Sequence, residues 1–232
     1  MIRLDKYLSE LNIGSRSQIK DYIRQGTVAV NGITVLCPEQ KIDENTDSVS
    51  YRGKECSYKK YVYFMLNKPS GVVSATEDNT CVTVTDLLKD TGYKNLFPVG
   101  RLDKDTEGFL LMTNDGELAH NLLSPRKHVG KTYYVELTKS LSDEDIQMLE
   151  EGVDIGEEKK TLPAKVKRKE EDKIFLTITE GKFHQVKRMM KAVNNEVIYL
   201  KRVAMGGLFL DESLLPGQYR ELKEEELTNL LY

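Results

Sequence analysis

A chain of 232 residues, 39% hydrophobic and 31% charged, can fill one large core or two smaller ones and is too apolar to be disordered. With 34 Lys+Arg against 37 Asp+Glu the net charge is -3, so a polyanion binder of this composition must concentrate its cations locally. Cys37, Cys56 and Cys81 fit no zinc spacing and cannot all pair within one chain, which points to free, buried or semi-buried thiols in a reducing cytosol. No stretch has the apolar length of a membrane span, and the charged start at Arg3, Asp5 and Lys6 carries no signal-peptide core; a cytoplasmic protein is expected.

In chain order, Leu4, Leu8 and Leu11 recur at helical spacing, and Gly14 is expected to end that helix. Ser15 with Gln18 is a capping-box signature for a second helix, whose apolar face is Ile19, Tyr22 and Ile23 and whose C-terminal cap is Gly26. Val28 and Val30 alternate with polar neighbours, Asn31-Gly32 is a hairpin turn, and Ile33 and Val35 lie on the return strand. Residues 53–60 are polar and lack periodicity, which reads as a linker. Residues 61–66 read as a strand ending in a turn at Asn67-Lys68-Pro69-Ser70-Gly71. Further strands are expected at 110–113, 131–137, 164–168, 174–179 and 196–201, and helices at 83–88, 117–123, 142–151 and 184–193, the third of these capped by Ser142 with Asp145. This mixture of hairpin-like and helical connections predicts an α+β domain with a mainly antiparallel sheet.

Two groups of cations stand out. Arg16, Lys20 and Arg24 fall at i, i+4 and i+8 on one helical face, with Arg3 and Lys6 close in sequence; such a ridge is either an ordinary solvated face or a phosphate-binding surface. Between Gly181 and Arg202, the cations Lys182, Lys187, Arg188, Lys191, Lys201 and Arg202 face one anion, Glu196, an excess masked in the total by Glu221, Glu224, Glu225 and Glu226. The histidines His120, His128 and His184 are too scattered to form a metal set, and no local signature supports a Ser–His–Asp or Cys–His arrangement.

The order Arg3-Leu4-Asp5-Lys6-Tyr7-Leu8, Ser15-Arg16-Ser17, Ile23-Arg24-Gln25-Gly26, Val30-Asn31-Gly32 resembles the small S-four-like RNA-binding module over roughly the first 36 residues. Further on, four motifs occur in order: 64–71 (Phe-Met-Leu-Asn-Lys-Pro-Ser-Gly), Gly100-Arg101-Leu102-Asp103 with Thr106 and Gly108, Lys131-Thr132-Tyr133, and Glu180-Gly181-Lys182-Phe183-His184-Gln185-Val186-Lys187-Arg188-Met189. Together they resemble the pseudouridine synthases, and behind an S-four-like module they are similar to the RsuA subfamily, which acts on ribosomal RNA. The likeness runs to about Tyr219-Arg220-Glu221-Leu222.

The resemblance implies a docking module at 1–60 and a catalytic domain at 61–232 that detaches uracil from ribose carbon 1 through its nitrogen 1, turns it and rejoins it through carbon 5. No redox change or group transfer occurs, so neither cofactor nor metal is expected. Asp103 matches the family's carboxylate, acting as nucleophile on carbon 1 or as base on carbon 2; Asp105 is its nearest competitor. Lys187 matches the cation that keeps this carboxylate ionised, with a phosphate contact beside Lys191 as the other reading. Tyr133 matches the tyrosine that stacks on uracil, and Arg101 the residue that fills the space of the flipped base. Lys68 with the Gly71 turn, Lys182, His184 and Arg188 are expected to meet RNA, as are Arg3, Lys6, Arg16, Lys20 and Arg24. The expected substrate is small-subunit ribosomal RNA, met by a monomer on an assembling subunit. The rivals are a large-subunit target, a non-catalytic assembly factor, and a hydrolase built on Asp103 and Asp105.

Overall fold

The computed structural model describes residues 1–11, 13–44, 46–56, 59–124, 127 and 129–230. They form two compact units: Met1–Tyr61 with Lys89–Lys94, and Val62–Leu88 with Asn95–Tyr232.

The first unit contains β1 (Ile2–Arg3), α1 (Leu4–Glu10), α2 (Arg16–Arg24), β2 (Val28–Val30), β3 (Ile33–Thr34), β4 (Lys41–Ile42), β5 (Val49–Tyr51) and β6 (Lys54–Cys56). Helix α1 stops at Glu10, ahead of the predicted stop at Gly14. Helix α2 starts as its sequence requires: the Ser15 hydroxyl accepts the Gln18 N–H, and Gln18 Oε1 accepts the Ser15 N–H at 2.9 Å. The chain leaves α2 through Gly26 at φ +70°, a conformation costly for any residue with a Cβ. Leu4, Tyr7 and Leu8 pack with Ile19, Ile23, Val28, Val30 and Val49 in one core. The sheet order is β3-β2-β5-β6. Asn31 and Gly32, at φ 52° and 78°, make the predicted β2–β3 turn. Val35 lies beyond β3, although its N–H still reaches the Val28 carbonyl at 3.0 Å.

The linker expectation fails at its start. Arg52 and Gly53, at φ 50° and 76°, close a second hairpin, and Lys54–Cys56 pairs with Val49–Tyr51 as edge strand β6. Lys54 and Glu55 are exposed, so this strand carries polar residues without the alternation that marks a half-buried one. Ser57 and Tyr58 lie outside the described residues.

The second unit contains β7 (Tyr63–Lys68), β8 (Phe97–Pro98), β9 (Glu107–Thr113), α3 (Gly116–Leu123), β10 (Lys131–Leu137), α4 (Asp143–Glu151), β11 (Lys165–Glu170), β12 (Lys173–Ile178), α5 (Gln185–Ala192), β13 (Val197–Met205), β14 (Leu208–Phe209), β15 (Tyr219–Glu221) and α6 (Glu224–Asn229). Its sheet runs β11-β12-β10-β13-β9-β7-β15, with β8 beside β9 and β14 beside β13; β13 and β9 run parallel and the other pairs antiparallel. The α+β class and the mainly antiparallel sheet are as expected. Met65, Phe109 and Leu111 from the sheet meet Ala119 and Leu122 of α3 in a buried core. Ser142 caps α4 with Asp145, as predicted.

Three expectations change here. Strand β7 continues through Asn67 and Lys68, both buried, instead of turning at Asn67. The helix predicted at 83–88 is a 3-10 helix at Asp86–Thr91, set off by Asp86, whose carboxylate accepts the Thr83 N–H at 2.8 Å. Cys37 is exposed rather than buried, while Cys56 and Cys81 are partly covered, and all three are free thiols. No helix of the described residues is long and apolar enough to cross a membrane.

Candidate active site

Three features hold the segment Gly100–Thr106. Gly100 adopts φ +77°. Ser74 Oγ donates to the Leu102 carbonyl at 2.8 Å and accepts the Leu102 N–H at 3.0 Å. Lys68, wholly buried, points its ammonium at the carbonyls of Pro69, Lys104 and Thr106, at 3.0, 3.2 and 2.8 Å. Burial pushes that ammonium down to about 8, against the nearby acids Asp105, Glu107 and Asp103. Lys68 was expected to line an RNA cleft. It is instead an internal brace for the loop that carries Asp103, with no surface to offer a phosphate.

Gly108 follows the loop at φ +100°, where an added Cβ would lie 2.2 Å from the Arg202 carbonyl oxygen. Strands β9 and β13 pair in parallel at this point, Gly108 opposite Arg202, and only glycine lets the two backbones approach so closely.

Asp103 opens into a cavity of about 810 Å³ within the second unit. Arg101, Lys182, His184 and Tyr133 line the same cavity. Tyr133 faces inward on β10, and Tyr134 faces the other side of the sheet, where its hydroxyl donates to Glu136. His184 Nε2 stands 3.7 Å from Asp103 Oδ1. His184 has left-handed backbone angles just ahead of α5, and its ring stacks on the exposed Phe183 with centroids 3.8 Å apart.

Lys187 reaches the carboxylates from α5, and its nearest partner is not the expected one. Its ammonium lies 3.4 Å from Asp103 Oδ2 but donates to both oxygens of Asp105, at 2.6 and 2.7 Å. These hydrogen bonds hold the Asp105 carboxyl below the usual carboxylate range. One cation thus serves two acids, the exposed Asp105 more closely. Lys187 also borders a smaller cleft of about 270 Å³ with Arg188, Lys191 and Glu196.

Arg188 turns away from Asp103: its guanidinium bonds Glu157 at 2.7 Å and the carbonyls of Phe183 and Ile155. Lys182 donates to the Lys159 and Lys160 carbonyls at 3.0 and 3.3 Å. Arg202, one of the six cations counted between Gly181 and Arg202, is 1% exposed and lines the cavity. Lys131 lines it too, and burial, with Arg202 adding to the effect, pushes its ammonium down to about 8. From sequence, Arg202 is only one of six cations in a stretch expected to line the RNA cleft, and Lys131 only the first residue of the Lys-Thr-Tyr motif. The signal was present: Arg202 lies two residues from Leu200 and two from Ala204, on the inward face of its strand.

In the first unit, Arg16 and Arg24 are exposed on α2 and Lys20 is half-buried. Arg3 is clasped by Asp5 at 2.7 Å and Glu39 at 3.2 Å, and Lys6 lies 3.6 Å from Glu10. The hydrogen bond from Arg3 holds the Asp5 carboxyl low. His128 lies outside the described residues.

A helix-and-hairpin unit precedes an α+β unit whose cavity is lined by an aspartate and a tyrosine, with a lysine from a third distant segment 3.4 Å from the aspartate, and this combination defines a class of RNA-modifying enzyme. Residues 62–192 match the family described as RNA pseudouridylate synthase, and residues 2–47 match the S4 domain. The chain is 52% identical over 231 residues to an uncharacterized RNA pseudouridine synthase, YtzG, of Bacillus subtilis (strain 168), covering 97% of each protein. It is 40% identical over 232 residues to the ribosomal small subunit pseudouridine synthase A of Escherichia coli (strain K12), covering 99% of this chain and 100% of that one. A crystal structure of a pseudouridylate synthase superposes with a TM-score of 0.71 at 36% identity, covering 99% of this chain and 100% of that one. The chain belongs to the RNA pseudouridylate synthase family and is an isomerase of uridine in RNA.

Proposed function

We propose that this enzyme isomerises a uridine of small-subunit ribosomal RNA, with Asp103 as its reacting carboxylate. The observation that carries the site is that Asp103 and Tyr133 line one cavity while Lys187, from a third distant segment, brings its ammonium within 3.4 Å of Asp103. The substrate reading rests on full-length relatives named ribosomal small subunit pseudouridine synthase A, such as those of Vibrio cholerae and Yersinia pestis, at 38% and 41% identity. The uridine leaves its stack and enters the cavity, with Arg101 at the mouth occupying the vacated place. Tyr133 stacks on the ring. Lys187 sets its positive charge 3.4 Å from Asp103. Asp103 then attacks ribose carbon 1 or takes the proton from carbon 2. Residues 1–60 dock the RNA through Arg16, Lys20 and Arg24 while residues 61–232 do the chemistry, and the enzyme works as a cytoplasmic monomer on an assembling subunit.

The test is pseudouridine mapping of total ribosomal RNA from cells with and without the gene. One small-subunit site is lost, and is restored by the wild type but not by Asp103→Asn, which still binds RNA. Loss of a large-subunit site instead would overturn the substrate, and loss of none would favour an assembly factor. Removal of residues 1–60 weakens RNA binding and makes its salt dependence shallower; equal affinity and slope would remove the docking role.

A further inference from the structure

Two cations in the floor of the cavity have no role in the scheme above. Tyr133 on β10 pairs across the sheet with Arg202 on β13, after a register shift between Thr132 and Tyr133. Directly paired residues project to the same face, and a shift of this kind re-aims side chains. Lys131, two residues before Tyr133, shares that buried face. Lys131 is 9% exposed and Arg202 1%, and both line the cavity.

Their donors are largely unspent. Arg202 Nε donates to the Phe109 carbonyl at 2.7 Å, and its Nη2 is buried with no hydrogen-bond partner. The Lys131 ammonium, with three protons to give, reaches the Val129 carbonyl at 3.3 Å. Among the described residues no carboxylate pairs with either. The closest acid in effect, Glu180, has spent Oε1 on the Leu162 N–H and the Gln185 amide. A fold gains nothing by burying two like charges side by side without a counter-ion. Such an arrangement marks a place where charge arrives during function.

The reaction brings that charge. When the bond between uracil nitrogen 1 and ribose carbon 1 breaks, the electron pair stays with the ring, which becomes an anion spread over nitrogen 1 and the two carbonyl oxygens. This holds whether Asp103 attacks carbon 1 or deprotonates carbon 2. We propose that Lys131 and Arg202 form a cationic floor that receives the departing uracil as its anion and holds it while it turns. A half-turn about the axis through nitrogen 3 and carbon 6 exchanges nitrogen 1 with carbon 5 and oxygen 2 with oxygen 4. A floor that reads charge and carbonyl oxygen therefore fits the ring equally before and after the turn. Carbon 5 then bonds to carbon 1 as the Asp103 carboxylate leaves it or, on the other route, as carbon 2 takes its proton back; the carbon 5 proton leaves, nitrogen 1 gains one, and no atom is gained or lost. The inference rests on the isomerase reading and does not depend on which RNA is the substrate.

The test is single-turnover and steady-state kinetics of full-length Lys131→Met, Lys131→Gln and Lys131→Arg on the ribosomal RNA that the wild type modifies, with RNA affinity and melting temperature measured for each. Loss of one preorganised donor to a developing anion lowers kcat by about 100- to 1000-fold. Lys131→Met and Lys131→Gln are expected to show that loss, with KM and RNA affinity within about threefold of wild type and a melting temperature equal or higher, because an unpaired buried charge has been removed. Lys131→Arg, which keeps the charge, is expected to recover at least about tenfold of it. A folded Lys131→Met or Lys131→Gln enzyme with kcat within about threefold of wild type overturns the proposal, as does a kcat loss matched by a lowered melting temperature that Lys131→Arg does not restore. Wild type and Asp103→Asn run alongside: a wild type inactive on small-subunit RNA would fail the substrate assignment alone.

Discussion

Gly108 and Gly71 both hold left-handed φ angles, +100° and +85°, yet differ in what surrounds them. A Cβ on Gly71 would meet nothing within 4 Å, whereas one on Gly108 would sit 2.2 Å from the Arg202 carbonyl oxygen and 2.9 Å from its nitrogen. Substitution by alanine at either site forces a residue with a Cβ into a disfavoured conformation, at about 1–3 kcal/mol. Gly108→Ala adds about 1–3 kcal/mol for overpacking, because the clash is with backbone that cannot rotate away. The total for Gly108→Ala is then about 2–6 kcal/mol, or a melting temperature lowered by roughly 4–24 °C in a chain of this size. Strand β13 would also be pushed off β9 at Arg202, so activity should fall with stability. Thermal melts and urea titrations of the two variants side by side test this. If Gly108→Ala cost no more than Gly71→Ala, the close β9–β13 approach would not be the reason for glycine at this position.

Lys68→Met removes the ammonium from three carbonyls, of which that of Lys104 keeps the Gly71 N–H; a net loss of about 2–5 kcal/mol and a reduced kcat at unchanged RNA affinity are expected, and a fully active, fully stable variant would show that the loop needs no brace. Because Lys68 and Lys131 are both held at about 8, against 10.5 for an ordinary lysine, the unfolded chain binds more protons in between. Stability should therefore rise as the pH goes from about 8 to 9.5, with a smaller rise in Lys68→Met; a melting temperature flat over that range would refute burial of these charges. Asp105→Asn frees Lys187 from its shorter contact to serve Asp103, so kcat should change by less than about tenfold and stability by less than about 1 kcal/mol at this exposed site. An Asp105→Asn enzyme as inactive as Asp103→Asn would mean that the two carboxylates had been given each other's roles.

Much of the fold could be read where local chemistry decides the structure. The Ser15 and Ser142 caps, the Asn31-Gly32 turn and the alternation of 131–137 each need only neighbouring residues, and each appears where its sequence places it. Strands of two or three residues, such as Lys41–Ile42, Phe97–Pro98 and Leu208–Phe209, could not be read this way: they are too short to show a period and exist because a partner strand lies beside them. Asn67 and Lys68 misled for the opposite reason. They have the composition of a turn, but β9 pairs them, Asn67 with Phe109 and Lys68 with Gly108, and tertiary contact overrides local preference.

The candidate site shows the same division in its charges. Six cations between 181 and 202 look like one basic surface when counted along the chain, but strand alternation and helix rotation send them different ways. Arg202 goes beneath the sheet's active face, Lys187 onto two carboxylates, Arg188 onto Glu157, and Lys182 onto loop carbonyls. Each internal partner removes a charge that could otherwise displace counterions from RNA. The salt dependence of binding counts only cations that meet phosphate, at about 0.7 to 0.9 log units per phosphate neutralised. This region should therefore contribute a slope well short of six phosphates. The cations it holds back include the two that the proposed scheme uses at the reaction itself: Lys187 beside Asp103 and Arg202 in the cavity.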